Sequence, residues 1–199
     1  MLIKYFFVSV LFCCTTLCAT AQTAETIYNK YTDFNLSRLQ GETGKSLTMG
    51  QEIMANADKL PEKSRISFYN SMAKLYEDNK QFDKAQPLYE KVAAAIPDYY
   101  VVHLALGHIY LHTANELAAK VNASKGDKAA YQQNRNAYVA MVNKILPHLE
   151  KVQACDPYDD NLALIKKLYN SIDNAAGLTD LNARVKAMSA KCLDVISEN

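Results

Sequence analysis

The chain is poor in the residues that break regular structure. It holds six glycines and five prolines in 199 residues, and no tryptophan. So few breakers exclude a loop-rich or low-complexity chain and favour long elements. No segment alternates apolar and polar residues with the period of two that a half-buried strand requires, which argues against a sheet. A net charge of only +1 and the lack of any basic block remove the electrostatic reason to expect nucleic acid or an anionic membrane as partner. No Ser-His-Asp or Cys-His grouping is readable. His148 precedes Cys155 by seven residues, and a neighbour at that distance in sequence is no sign of a catalytic pair. These absences point away from an enzyme, and no cofactor is implied.

The first residues are set apart from the rest. Met1-Leu-Ile-Lys4 supplies a short positive end, Tyr5 to Leu17 an apolar run, and Ala19-Thr-Ala21 the small residues of a cleavage site. This is the pattern of a secretory signal peptide over residues 1–21, with cleavage after Ala21 and export to the periplasm or the medium. The apolar run is shorter than the roughly 20 residues that a membrane span needs. Three of the five cysteines, Cys13, Cys14 and Cys18, fall in this segment. Their flanks (Phe12 and Cys13 before Cys14, Thr15-Thr-Leu17 before Cys18) lack the order of a lipoprotein signal, which argues against a lipid anchor. The mature chain, 22–199, then carries 21 basic and 21 acidic residues and fits one domain. Its two cysteines, Cys155 and Cys192, are either a disulfide, as an oxidising compartment allows, or two small buried residues near helix ends.

Helical spacing runs through the mature chain. Ile27, Tyr31 and Phe34 mark a helix over about 23–39. Leu47, Ile53, Met54 and Leu60 mark one over about 45–59, Phe68, Met72, Leu75 and Tyr76 one over about 63–78, and Phe82, Ala85, Tyr89 and Val92 one over about 81–95. Two segments sixty residues apart also match. Ala85 to Pro97 and Ile145 to Pro157 share Pro87/Pro147, Glu90/Glu150, Lys91/Lys151, Val92/Val152, Ala94/Ala154 and Pro97/Pro157. A repeat on this scale signals stacked helical units, because one unit cannot bury its own apolar face.

Tyr69, Met72-Ala73, Tyr76, Phe82, Ala85, Tyr89, Val92 and Pro97 resemble a complete tetratricopeptide repeat, with Val92 in place of the usual alanine. Leu106-Gly107 and Tyr110 resemble the start of the next. Its second half follows only after about 26 residues beyond the motif's usual length of about 34. That excess is alanine-rich, charged and free of proline, and reads as a lengthening of both helices into a protruding antiparallel pair that turns near Asn122–Asp127. Pro147-His-Leu-Glu-Lys151, Asp156-Pro157 and Ile165-Lys-Lys-Leu-Tyr169 further resemble small secreted tetratricopeptide proteins of the Bacteroidota. The resemblance implies an all-α, right-handed superhelical solenoid of helix pairs, over about 23–60, 63–96, 101–156 and 160–196. A final helix over Leu181–Ile196 closes it. It further implies a concave groove lined by the first helices, and a non-enzymatic scaffold that binds a protein or peptide partner.

On that groove fall Asn70 and Lys74 from one repeat and His108 and His112 from the next. Asn70 and Lys74 match, in reversed order, the chemistry of the family's clamp for a carboxylate, but the second repeat offers no partner asparagine. A second reading starts from His108, His112 and Glu116, which share a helix face at i, i+4 and i+8 and make a metal or enzymatic centre conceivable. Ile109 stands where a zinc protease needs glutamate, and a polar stripe explains the three residues equally. Gly41-Glu-Thr-Gly-Lys-Ser46 is half a phosphate loop. Leu39 occupies the position of the missing glycine, so a polar turn is the reading kept.

Overall fold

A computed structural model describes residues 23–196. The segment read as a signal peptide lies outside the described residues, as do residues 197–199. Among the described residues the chain is all-helical. It forms α1 (Ala24–Leu39), α2 (Thr43–Met54), α3 (Glu62–Asp78), α4 (Phe82–Ala95), α5 (Tyr100–Ala123), α6 (Lys128–Cys155), α7 (Asp159–Ser171), α8 (Ala175–Thr179) and α9 (Leu181–Met188). A 3₁₀ turn, Ala57–Lys59, joins α2 to α3. None of these helices is long and apolar enough to cross a membrane.

The boundaries follow from local chemistry. Thr23 caps α1 by accepting the Thr26 amide at 3.1 Å, and Asp127 caps α6 by accepting the amides of Ala129 and Ala130. The two repeat segments end alike. Ile96 before Pro97 has φ −131° and ψ 76°, and Asp156 before Pro157 has φ −140° and ψ 75°. Proline disfavours helical geometry in the residue it follows, so the same ending recurs sixty residues later. Pro147 lies inside α6 and Pro87 inside α4, yet both helices continue past them.

Most helices pack chiefly on their sequence neighbours, α9 packs chiefly on α6, and the 24-residue α5 and 28-residue α6 make the most extensive pairing. The core is continuous. At one end Tyr31, Phe34 and Phe68 interlock, with Phe34 and Phe68 edge to face at 5.3 Å between ring centres. Val102, Leu106, Ile109 and Tyr110 of α5 then meet Val142, Ile145, Leu146 and Leu149 of α6 in its middle. Gly107 is needed there: a β-carbon on it would lie 2.9 Å from Leu149 Cδ2.

The C-terminal part departs from the expected pair over 160–196. α7 ends at Ser171, before Gly177, and Asp173 turns the chain with φ +58°. Gly177 sits inside α8, where a β-carbon would fall 2.1 Å from the Tyr169 ring. The final helix expected over Leu181–Ile196 stops at Met188. Beyond it the chain forms a strap whose Leu193 amide donates to the Asp98 carbonyl at 2.8 Å, while the Tyr100 amide donates to the Leu193 carbonyl at 3.0 Å. The backbone groups of Leu193 bond across the molecule rather than within a helix. A disulfide between Cys155 and Cys192 fastens the strap to the end of α6, as do the Lys151 ammonium's bonds to the Asp98 carboxylate and the Lys191 carbonyl.

Candidate functional site

α3 and α5 face a common hollow. With α4 and the turn before α5 they enclose a cavity of about 340 Å³. Asn70 and Lys74 come to it from α3, His108, with Leu104, from α5, Tyr89 from α4 and Tyr99 from the turn. Asn70, Lys74 and His108 therefore meet in one place. His112 does not line it. Its ring lies against Phe82, 5.4 Å between centres, and its Nδ1 is 3.7 Å from the Glu116 carboxylate. No three His, Cys, Asp or Glu side chains among the described residues come together as a metal site.

Charge in the cavity is arranged differently from a carboxylate clamp. The Lys74 ammonium is bound to Asp78, one turn along the same exposed face. Glu77, also lining the cavity, accepts a 2.7 Å hydrogen bond from the Tyr89 hydroxyl. Burial first, and then the Glu77 carboxylate, push the Tyr89 hydroxyl well above the usual tyrosine range, so it stays a neutral donor. Tyr99, only 7% exposed, is raised mainly by burial and opposed by a hydrogen bond with Asn70.

The Tyr89–Glu77 contact has two counterparts that sequence reading did not foresee. Tyr110 donates to Glu90 at 2.5 Å, and Lys144 reaches the same oxygen at 2.8 Å. Tyr169 donates to the buried Glu150 at 2.5 Å, and Arg184 clasps both oxygens of that carboxylate at 2.7 and 3.0 Å. Burial and Glu150 push Tyr169 up to about 12 against the opposing charge of Arg184. The shared Glu90/Glu150, each followed by a tyrosine about one helix later, is the sequence signal that could have found them. A second cavity, of about 470 Å³, adjoins Glu150, Tyr169 and Arg184, but those groups are committed to each other and to the Gly177 carbonyl.

A histidine pair also went unread. His103 of α5 and His148 of α6 bring their Nδ1 atoms to 2.9 Å, and His103 Nε2 lies 3.0 Å from the Pro97 carbonyl oxygen. That oxygen can only accept, so Nε2 carries the proton of His103, and its Nδ1 accepts from His148. Burial, then His103, then Lys144 push His148 down to about 4, against an opposing pull from Glu90. His103 is lowered by burial and Lys151, against its bond to Pro97 and the pull of Asp98.

Comparison with family models, curated proteins and solved structures finds no match to the chain.

Proposed function

We propose that this chain is an exported, non-enzymatic scaffold, built as a tetratricopeptide-like right-handed solenoid with α5 and α6 as its elongated, protruding pair. It holds an extended segment of a protein partner in the groove between α3 and α5. The observation that carries the reading is the meeting of Asn70, Lys74 and His108, from the first helices of two successive repeats, around one cavity. A groove that offers apolar walls and a few fixed polar groups suits an extended peptide, whose side chains alternate between the two. Tyr99, Val101, Leu104 and Ala105 supply the walls, and Asn70, Glu77 and His108 the polar points.

The test is capture of partners from the native envelope with the wild-type chain and with Leu104→Arg, which places a long charged side chain in the groove wall. A partner held by the first and released by the second, with the helical spectrum unchanged, supports the groove. A partner held equally by both places binding elsewhere. Metal analysis of protein purified without a histidine tag tests the rival centre at His108 and His112: stoichiometric zinc, lost when both are replaced, overturns the scaffold reading.

A further inference from the structure

Three tyrosine–glutamate hydrogen bonds recur along the molecule, and two of them are completed by a base. Lys144 sits on Glu90, and Arg184 sits on Glu150. Among the described residues the third, Tyr89–Glu77, has no such partner: Glu77 accepts from Tyr89 through one oxygen, and the nearby ammonium of Lys74 is paired with Asp78. This incomplete triad is also the one that lines the α3–α5 cavity. A half-buried carboxylate with an uncommitted oxygen, beside two buried tyrosines, attracts a positive group more than an anion. With Lys74 neutralised by Asp78, Glu77 leaves the cavity with an excess of negative charge.

We propose that the cavity takes a cationic group, an ammonium or guanidinium, which completes the Tyr89–Glu77 pair as Lys144 and Arg184 complete the other two. In the groove reading, on which this rests, the cation is a lysine or arginine side chain of the bound segment. Recognition is then opposite in sign to that of a carboxylate clamp, and Lys74 is an ion-pair partner of Asp78 rather than a ligand contact.

The experiment is an amide NMR titration of the mature protein with three probes: acetyl-Leu-Arg-Leu-amide, acetyl-Leu-Glu-Leu-amide and putrescine. The arginine peptide is expected to shift the Leu104 and Ala105 amides and the Asn70 side-chain amide. Glu77→Gln, which keeps an acceptor for Tyr89 and so spares the fold, weakens that binding on the order of tenfold, the loss expected of one charge-assisted bond. Lys74→Ala, which removes a like charge from the cavity and frees Asp78, tightens that binding. Shifts with the glutamate peptide alone overturn the sign of the site while leaving the groove. Shifts with putrescine but not the arginine peptide uphold the cation site and overturn the peptide as its source. If no probe shifts these groups, or if Glu77→Gln has no effect, the cation site is overturned, whereas the groove reading stands or falls with the Leu104→Arg capture.

Discussion

At the scale of single residues, one steric constraint is Gly107. It lies where α5 and α6 approach, and Leu149 Cδ2 occupies the space a side chain would need. Gly107→Leu should cost about 1–3 kcal/mol, since a full side chain overpacks a filled interface. A urea titration that leaves the midpoint unchanged would show that the two helices part freely there. Glu150 is the other decisive residue. Its carboxylate is buried, and Tyr169 and Arg184 answer both of its oxygens. Burial of such a group is tolerable only because it is fully hydrogen-bonded.

Paired elements carry two further expectations. The α5–α6 interface favours neutral rings on His103 and His148: the bond between them needs a bare nitrogen on His103, and burial opposes a charge on either ring. Both rings are lowered in the fold, so above the unfolded value of about 6.5 they contribute no pH dependence. Below it the unfolded chain takes protons that the fold refuses, and stability falls as pH drops from about 6.5 toward 4. Denaturation midpoints across that range should fall, and His148→Gln should flatten the slope. A slope identical in the variant would show that the carboxylates alone set it.

The second expectation concerns the strap. The bridge from Cys155 to Cys192 spans a separation of 37 residues. Closing a loop of that size contributes roughly 2–4 kcal/mol by restricting the unfolded chain. Serine at both positions should lower the melting temperature and speed hydrogen exchange at the Tyr100 and Leu193 amides, which bond across the strap. Exchange that stays slow would show that Lys151 and the backbone bonds hold the strap without the bridge.

For the whole molecule, packing is nearly one-dimensional. Most helix contacts join sequence neighbours, and the return of α9 onto α6 is the main exception. A chain built this way gains stability unit by unit, so its ends need closing. Arg184 on Glu150 and the strap close the C-terminal end. The first 21 residues are expected to be absent from the mature protein. Sequencing protein taken from its native envelope should find Gln22 at the start, and a chain that begins at Met1 would overturn export by cleavage.

Helix positions were legible because each depends on local rules: apolar spacing, caps and the proline that stops a turn. The spacing of Ile27, Tyr31 and Phe34 sufficed to place α1, and Pro97 and Pro157 to end α4 and α6. The close approach at Gly107 was expected from the resemblance of Leu106-Gly107 to the start of a repeat, and Leu149 does lie against it. Only the tertiary structure decided the rest. Spacing alone continued the last helix to Ile196, but the backbone of Leu193 finds its partners at Asp98 and Tyr100, nearly a hundred residues away. The histidine pair and the glutamate triads likewise join groups 19 to 54 residues apart. Periodicity says which face of a helix a residue occupies, but not which side chain on another helix lies opposite, and the charge of the groove depends on that second fact.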